Sequence, residues 1–463
     1  MIALGLSRIT RLLKALKSPH CQTPIVHIAG TNGKGSVSAY IASVLHHSHL
    51  KVGRFNSPHL VDEWDCVRLE EQVVDEHQFR QAKLEVETLN AREGFEATPF
   101  EILTATAFSL FARKQLDIAV VEVGMGGEGD ATNVVPQDQT LLSVLTAVDL
   151  DHQGFLGNTV QEIARVKSGI VRRNGNLVVS RQVYPQVLQV AKEVARERDA
   201  TVWPAQGATF SDDTTLASIP LASVFSTLPL RESAQSDRRI AVHLPLPGSY
   251  QLDNAATAVL AIELLRNLPR TTQLVPQLAT ITDETIRSGI QQTRWDGRLQ
   301  WLDLTLAPLS PPQRVLLDGA HNPSSASVLA EYVKSLPVSD RPSTLIFGLS
   351  APRAAAEVLT PLLQVETGIK QVLCVGFSPP VGMPWVRATP ADELVEAVKA
   401  MKVESELKVV AAFNNVEEAL KASSSSTTVV AGSLYLVADA LRLARRQGHS
   451  KSTEESRSTA DVR

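Results

Sequence analysis

A glycine-rich heptapeptide, Gly30-Thr-Asn-Gly-Lys-Gly-Ser36, lies between an apolar run and a helical pattern, and it constrains the fold more than any other feature of the chain. The preceding run, Thr23–Ala29, is rich in Ile and Val, and apolar residues recur at helical spacing from Val37 to Leu45. Glycines let backbone N–H groups converge on phosphate oxygens, and the N-terminus of the following helix adds partial positive charge. The unit therefore predicts a strand, a loop that binds a nucleoside triphosphate, and a helix.

The loop departs from the usual spacing of a phosphate-binding P-loop. Gly30 precedes Gly33 by three residues, and Gly35 separates Lys34 from Ser36, so the pattern is a variant of G-x-x-x-x-G-K-[ST]. Lys34 would supply a full charge to the phosphates, and Ser36 could reach a metal ion. The alternative is a glycine turn with an incidental lysine. The predicted ATP-binding residues of the loop are Thr31, Asn32, Gly33, Lys34, Gly35 and Ser36.

Further apolar runs follow the pattern of buried parallel strands. In the first part of the chain they are Leu116–Val123, Leu141–Thr146 and Leu177–Ser180, and in the last part they are Val315–Leu317, Thr344–Phe347, Gln371–Val375, Lys408–Ala411 and Thr427–Ala431. Continuous apolar runs separated by helix-length stretches are typical of α/β folds. We therefore predict a P-loop-type doubly wound α/β sheet domain followed by a smaller, Rossmann-like α/β domain.

The Pro-rich segment Ala307–Pro312 marks the predicted boundary between these domains. The first domain then covers 1–306, with a surface insertion at about 205–239 where Ser, Thr, Asp, Ala and Pro prevail. The second covers 313–448, and the polar segment 449–463 is expected to be a disordered tail.

Charge and cysteine content exclude several classes of protein. The net charge of −4 lacks the basic excess of a nucleic-acid-binding protein, so no nucleic-acid partner is expected. Three cysteines without a C-x-x-C pair support neither a disulfide framework nor a structural zinc site. Charged residues or prolines interrupt every apolar run before it could span a bilayer, so no membrane association is expected.

The N-terminal segment has two interpretations. Leu6, Ile9, Leu12, Leu13 and Leu16 form a helical stripe flanked by basic residues, and the first acidic residue is Asp62. The stripe predicts an ordinary first helix that packs against the domain, in a cytoplasmic protein. A mitochondrial presequence is the alternative.

An ordered series of motifs carries a resemblance to a known family. The motifs are Gly30–Ser36, Asn56–Leu60, Glu122–Gly127 with Asp130–Asn133, Leu150–His152, Gly248–Asn254, Gly297-Arg298 and Leu317–Asn322. Together they resemble the folylpolyglutamate/dihydrofolate synthase branch of the Mur ligase family, over essentially the whole chain except the insertion and the tail. Gly5–Leu16, Phe55–Cys66, Gly382–Thr389 and Gly432–Tyr435 are similar to the fungal-type dihydrofolate synthases.

The resemblance implies ATP-driven amide formation, in which a carboxylate is phosphorylated and the amine of L-glutamate then displaces phosphate. It implies two magnesium ions held by Ser57, Glu122, His152 and Lys167, with Lys167 carbamylated, and it allows a bound monovalent cation. Among the residues it marks, Lys34, Lys167 and His321 would be catalytic. It further implies that the nucleotide is contacted by Asn254, Arg298, Asp318 and His321.

For the other substrate, the resemblance implies binding of dihydropteroate by two segments, which comprise Thr98, Pro99, Phe100 and Glu101, and Gly129, Asp130 and Ala131. Phe100 offers an aromatic face, and Glu101 could accept hydrogen bonds from pterin N–H groups. On residues alone, the first segment could equally be a helix start with a core aromatic. Two positions depart from the family pattern: Glu128 replaces an arginine, and Asp296 replaces a proline.

The leading hypothesis is a monomeric dihydrofolate synthase that adds one glutamate to dihydropteroate. A folylpolyglutamate synthase would share nearly all of these residues, and product chain length would distinguish the two. A catalytically silent nucleotide-binding regulator is a third hypothesis. The joint presence of Lys34, Ser57, Glu122, His152, Lys167 and Asp318 argues against it.

Overall fold

A computed structural model of the 463-residue chain describes residues 5–210, 221–226, 238–306, 312–383, 385–401, 407–425 and 427–446. The predicted tail 449–463 lies outside the described residues, as does most of the Pro-rich segment. The chain divides into two compact units. The first comprises 1–59, 64–245 and 250–295, and the second comprises 60–63, 246–249 and 296–463.

The first unit is built on an eight-stranded sheet in which six neighbouring strands are parallel. The strands are β1 (Ile25–Ala29), β2 (Val52–Phe55), β3 (Val67–Leu69), β4 (Gln72–Val73), β5 (Ile118–Glu122), β6 (Thr140–Leu145), β7 (Asn176–Val179) and β8 (Thr201–Pro204). Among the described residues their order is β4-β3-β2-β5-β1-β6-β7-β8. Strand β3 pairs antiparallel with both β2 and β4 at one edge, and the other neighbours pair parallel. The predicted doubly wound α/β sheet is confirmed.

Helices of the first unit connect and flank these strands. They are α1 (Ser7–Ala15), α2 (Lys34–His47), α3 (Glu76–Glu93), α4 (Pro99–Lys114), α5 (Gln153–Leu156), α6 (Val160–Ser168), α7 (Pro185–Arg196), α8 (Gln251–Asn267), α9 (Pro269–Leu274) and α10 (Asp283–Gln291). The inner faces of α1, α3 and α4 bury one apolar cluster, and those of α6 and α7 bury another. Every residue of β1, β5 and β6 is buried, which explains why their sequences read as continuous apolar runs.

The segment interpreted as an irregular insertion contains strands. β9 (Thr209–Phe210), β10 (Leu221–Ser226) and β11 (Arg238–His243) form a three-stranded antiparallel sheet. Residues 211–220 and 227–237 lie outside the described part. The prediction missed β9 and β10 because Ser- and Thr-rich sequence gives no alternation of apolar and polar residues, which is the signal on which strand prediction depends.

The second unit is a six-stranded sheet with one antiparallel edge strand. Its strands are β12 (Gln300–Leu304), β13 (Gln313–Leu317), β14 (Thr344–Phe347), β15 (Gln371–Val375), β16 (Val409–Phe413) and β17 (Thr427–Ala431). In the described residues their order is β12-β13-β17-β14-β15-β16. The helices are α11 (Pro323–Ser335), α12 (Ala355–Leu362), α13 (Ala391–Ala400), α14 (Val416–Ala422) and α15 (Leu434–Arg446). This confirms the second α/β domain.

The boundary between the units lies after Trp295 rather than at residue 306. The reason is that residues 300–304, which the prediction placed in the first domain without a strand, form β12 and pair antiparallel with β13 along the whole length of β12. The Pro-rich segment therefore lies in the chain between two strands of one sheet and does not mark a domain boundary.

The N-terminal stripe is used in packing. Ile9, Leu12 and Leu13 of α1 are completely buried and belong to the same apolar cluster as residues of α3 and α4. Among the described residues, no helix is long and apolar enough to cross a membrane.

Helix α2, which carries the glycine loop, is closely packed against α10. A Cβ atom added to Gly289 would lie 2.5 Å from Val44 Cα, and the Ser43 hydroxyl donates a hydrogen bond of 2.6 Å to the Gly289 carbonyl oxygen. The absence of a side chain at Gly289 lets α10 lie against α2, and the hydrogen bond holds the two helices together. The position of the loop therefore depends on this packing.

We expect Gly289→Ala to lower the free energy of unfolding by about 1–3 kcal/mol, because the new methyl group overlaps backbone that cannot yield. Gly154→Ala is the matched control, because no atom lies within 4 Å of its added Cβ atom. Urea denaturation of both variants measures the difference. Equal unfolding midpoints would show that the α2–α10 contact is not tightly packed.

Candidate active site

The glycine loop lies at the carboxyl edge of three adjacent central strands, β5, β1 and β6. The backbone N–H groups of Thr31 and Asn32 donate to the Ala147 carbonyl oxygen, at 2.8 and 3.0 Å. The Thr31 hydroxyl and Asp149 exchange two further hydrogen bonds, at 3.1 and 3.0 Å. The first half of the loop is therefore held by the chain that follows β6.

Lys34 and Glu122 bring opposite charges together at this edge. Lys34 is the first residue of α2, and its Nζ atom donates to the Thr31 carbonyl oxygen at 3.2 Å and lies 3.7 Å from Glu122 Oε1. Glu122 is the last residue of β5 and is buried. The Asn56 amide donates to Glu122 Oε2 at 2.6 Å and to Ser38 Oγ at 2.7 Å. One carboxylate oxygen is thus fixed by an amide, and the other faces the lysine.

Lys167 is a second amine of the same site. It belongs to α6, only 3% of its surface is exposed, and its Nζ atom donates to the Gly30 carbonyl oxygen at 2.8 Å. Burial lowers its pKa to about 7, and the Lys34 charge acts in the same direction against the opposing effects of Asp151, Asp130 and Glu122. A large fraction of Lys167 is therefore a neutral, nucleophilic amine near pH 7.

The predicted metal ligands differ in how well they are placed. The Ser57 Oγ atom is buried without a hydrogen-bond partner, and Ser57 directly follows the residue that binds Glu122. The His152 side chain is 43% exposed, and its Nε2 atom lies 3.8 Å from Asp151 Oδ2. The described residues contain no group of three His, Cys, Asp or Glu side chains that could hold a metal ion. A hydroxyl and a carboxylate suit Mg²⁺, which commonly takes most of its ligands from water and substrate phosphates.

Helix α8 contributes to the second half of the loop. The Gln251 amide donates to Ser36 Oγ at 3.3 Å, and the Asn254 amide donates to Gln251 Oε1 at 3.0 Å. A Cβ atom on Gly33, where φ is +89°, would lie 2.5 Å from Asn254 Oδ1. Asn254 therefore lies directly beside the loop. Gln251 and Asn56 were not singled out from the sequence, although both belong to motifs that carried the resemblance.

The segment Thr98–Glu101 forms the start of α4. Thr98 and Glu101 make a reciprocal capping box, in which the Glu101 N–H donates to the Thr98 hydroxyl and Glu101 Oε2 accepts from the Thr98 N–H at 2.7 Å. Arg8 of α1 also donates to Glu101 Oε2, at 3.0 Å. Glu101 Oε1 is buried without a hydrogen-bond partner. The Phe100 ring stacks on Phe55 at 6.2 Å, with Pro99 at the first position of the helix.

Asp130 organises the turn that follows β5. Its Oδ2 atom accepts from the Met125 N–H, and its Oδ1 atom accepts from the Thr132 N–H, each at 2.9 Å, and also from the Thr132 hydroxyl at 2.5 Å. That hydroxyl lies 2.9 Å from Nε2 of the buried His27, which donates to it as a neutral ring. Burial raises the pKa of Asp130, and these hydrogen bonds oppose the rise. Gly129 and the buried Ala131 flank this carboxylate, and the Gly129 carbonyl oxygen accepts from the Gly5 N–H.

Glu128, which replaces the arginine of the family pattern, lies at the surface. Its carboxylate accepts from Arg198 at 2.9 Å, and Arg198 also donates to the carbonyl oxygens of Gly169 and Val171 at 2.7 Å. The Glu128 side chain is 67% exposed. The substitution therefore leaves no unpaired negative charge beside Asp130.

The remaining predicted nucleotide ligands belong to the second unit. Asp318 is buried and accepts from the N–H groups of Leu299 and Ala320, at 2.9 and 2.8 Å. Burial raises its pKa, and the Arg298 charge opposes this. The His321 Nδ1 atom lies 2.8 Å from the Gly319 carbonyl oxygen, so the ring donates there. Arg298 donates to the Gly297 carbonyl oxygen, and Asp296 accepts from Gln300. The β13–α11 turn thus brings Asp318 and His321 together near Arg298, within one unit.

Comparisons with known proteins identify two matching family models and related proteins of full length. Residues 28–262 match the Mur ligase middle domain, and residues 300–443 match the dihydrofolate synthetase C-terminal domain. The dihydrofolate synthetase of Saccharomyces cerevisiae is 32% identical over 450 residues, which cover 96% of this chain and 98% of that protein.

Two solved structures are similar along nearly the whole chain. Folylpolyglutamate synthase of Mycobacterium tuberculosis, complexed with ADP and AMPPCP, has a TM-score of 0.77 and 25% identity, and covers 97% of this chain and 96% of that chain. FolC of E. coli, in complex with DHPP and ADP, has a TM-score of 0.74 and 28% identity, and covers 96% of this chain and 94% of that chain.

A Mur ligase middle domain spanning half of the sequence, a matching C-terminal domain and relatives similar end to end lead to one conclusion. The chain belongs to the folylpolyglutamate synthase/dihydrofolate synthase family of ATP-dependent, amide-bond-forming ligases.

Proposed function

We propose that this protein is a dihydrofolate synthase, which joins L-glutamate to dihydropteroate while ATP is cleaved to ADP and phosphate. One observation carries the proposal: Lys34, Glu122 and Lys167 converge on the glycine loop at the carboxyl edge of the central strands. In open α/β sheets, ligands bind at this edge. The similarity to the yeast dihydrofolate synthetase supports the choice of dihydropteroate as the acceptor.

The chemistry begins with a carboxylate that is too poor an electrophile to react with an amine. One of its oxygens attacks the γ-phosphorus of ATP, the bond to the β-phosphate oxygen breaks, and ADP leaves. The glutamate amine then attacks the acyl carbon, loses a proton, and expels inorganic phosphate as the amide forms. Lys34 and the N–H groups of the loop stabilise the negative charge on the transferring phosphoryl group.

Magnesium fits this site as a partner of the phosphates. Ser57 and Glu122 would hold it, with His152 near the exposed rim, and a bound Mg²⁺ neutralises charge on the transferring phosphoryl group. We further propose that Lys167 is carbamylated and so supports a second Mg²⁺. Arg298, Asp318 and His321 are our candidates for contacts to the nucleotide from the second unit. A monovalent cation at the site and a monomeric protein also remain predictions, as does a cytoplasmic location.

The acceptor site is proposed at the start of α4. The buried Glu101 Oε1 atom lacks a hydrogen-bond partner in the described structure, and it would accept from the amino and ring N–H groups of a pterin. Phe100 belongs to the same segment and offers an aromatic face. Asp130 uses both carboxylate oxygens to hold the Met125–Thr132 turn, so we propose that it shapes the pocket through this turn.

The second candidate is a folylpolyglutamate synthase, which the similarity to the mycobacterial enzyme favours. Both reactions use the same ATP site, so the distinction depends on where the reacting carboxylate lies. A catalytically silent regulator is disfavoured, because it would have no need for a buried amine with a pKa of about 7 beside the loop.

We expect Lys34→Ala to lower turnover by about 10²- to 10³-fold with an intact fold, because it removes a preorganised charge at the transferring phosphate. Release of ADP in the presence of glutamate and dihydropteroate measures this. Lys192→Ala, at an exposed position of α7, is the control and should retain full activity. Near-wild-type turnover of the Lys34 variant would contradict the assigned role of the loop.

We expect Lys167→Ala to be nearly inactive and partly rescued by added short carboxylates, which replace the missing carbamate. With limiting carbon dioxide, activity should fall as the pH drops below about 7, because protonation removes the neutral amine that must react. Mass spectrometry of the active, ATP-bound enzyme tests the modification. A free amine in that state would contradict it.

We expect the enzyme to add one glutamate to dihydropteroate and to extend folates poorly. If the pterin is held at one place, the γ-carboxylate of a folate lies several bonds beyond the aryl carboxylate of dihydropteroate. A misplacement of about 1 Å can cost about 10²-fold in rate. Incubation with ATP, labelled glutamate and either acceptor tests this. Comparable labelling of tetrahydrofolate, with products bearing two or more glutamates, would favour the polyglutamylating candidate.

A further inference from the structure

The indole ring of Trp295 lies directly against the backbone of the phosphate loop. A Cβ atom added to Gly35 would lie 2.4 Å from Trp295 Cζ2, 2.8 Å from Cε2 and 3.0 Å from Nε1. No atom of a side chain could occupy that space, so position 35 admits only glycine while the ring is there. Gly35 is also the residue that separates Lys34 from Ser36 and makes the loop a variant of the usual motif.

Trp295 is itself held by a buried arginine. The Arg54 Cζ atom lies 5.1 Å from the centre of the Trp295 ring, and the Arg54 side chain is only 1% exposed. A desolvated cation over an indole is attracted by the negative face of the ring, and more strongly than at an exposed site. A buried guanidinium also needs a counter-charge, and Glu71 Oε2 provides one, 3.1 Å from Arg54 Nη2.

The position of Glu71 is unusual for its residue type. Glu70 and Glu71 both have positive φ values, +54° and +61°, in the turn between β3 and β4. Non-glycine residues adopt this conformation uncommonly, and it brings the Glu71 carboxylate to Arg54. A continuous series of contacts therefore runs from this turn through Arg54 and Trp295 to Gly35.

We propose that Trp295 is a positioning residue of the ATP site, and that Arg54 and Glu71 hold its ring against the loop. The ring limits how far the backbone at Gly35 can move, and so fixes the Lys34 amine and the Ser36 hydroxyl on either side of it. A smaller side chain leaves space into which the loop relaxes. The loop N–H groups and Lys34 then no longer converge on the β- and γ-phosphates, whereas contacts to the rest of the nucleotide are unaffected. This inference rests on the ATP use assigned above, and is independent of which acceptor is glutamylated.

Nucleotide binding by the full-length protein tests it. We expect Trp295→Leu to weaken binding of ADP and of a non-hydrolysable ATP analogue by about tenfold or more, because small displacements of positioned groups have large effects. Binding of AMP should stay within about twofold of the wild-type value. Trp295→Phe should recover most of the affinity for ADP, because an aromatic ring still fills the space. Trp203→Phe is the matched control, because Trp203 lies on the edge strand β8 and donates to Asn176. Unchanged ADP binding by Trp295→Leu, or equal weakening of AMP and ADP, would overturn the proposal.

Tryptophan fluorescence provides a second test that does not depend on the folding of the leucine variant. ADP should change the emission of the wild-type protein and of Trp203→Phe, and this change should be lost in Trp295→Phe. Persistence of the change in Trp295→Phe would overturn the proposal, as would a wild-type protein that does not bind ADP. Failure of dihydropteroate ligation alongside normal ADP effects would instead refute the proposed acceptor and leave the role of Trp295 supported.

Discussion

The close approach of other elements to the phosphate loop is the constraint on which the rest of the site depends. The loop contains three glycines, and a Cβ atom at each would collide with a different neighbour: Thr146 after β6, Asn254 on α8 and Trp295. A backbone without side chains can be enclosed on three sides and still present its N–H groups to a ligand. The spacing of these glycines therefore reflects what surrounds the loop as much as what it binds.

Enclosure also sets the electrostatics. Lys34, Lys167 and Glu122 meet where solvent is largely excluded, so their charges act on one another with little screening. Lys34 and the N–H groups of the loop present positive charge at this place, which suits the phosphates of a nucleotide. Burial, together with the Lys34 charge, lowers the pKa of Lys167 to about 7 against the opposing effects of Asp151, Asp130 and Glu122. One arrangement thus favours an anionic ligand and maintains a reactive amine.

Strand prediction succeeded where a strand is buried on both faces, and it failed where the strand depends on contacts with residues far away in the sequence. Strands β14, β15 and β17 were predicted with their observed bounds, because uninterrupted apolar residues are what a central strand requires. β2 was missed because its four residues include Gly53 and Arg54, and an arginine in a buried strand is explained only by its partner Glu71 and by Trp295. β12 was missed because its pairing partner, beyond a Pro-rich connection, determines that it is a strand.

The sequence by itself determined the two α/β domains, the phosphate loop and the family, because these depend on residues that are close together in the chain. Local periodicity and short motifs record such features directly. Only the tertiary structure decided that Glu128 pairs with Arg198, that Asp130 uses both oxygens to hold a turn, and that an indole 260 residues away from Gly35 lies against it. Each of these contacts joins residues from separate parts of the chain. The packing of the whole domain brings these residues together, and no single segment of the sequence specifies that packing.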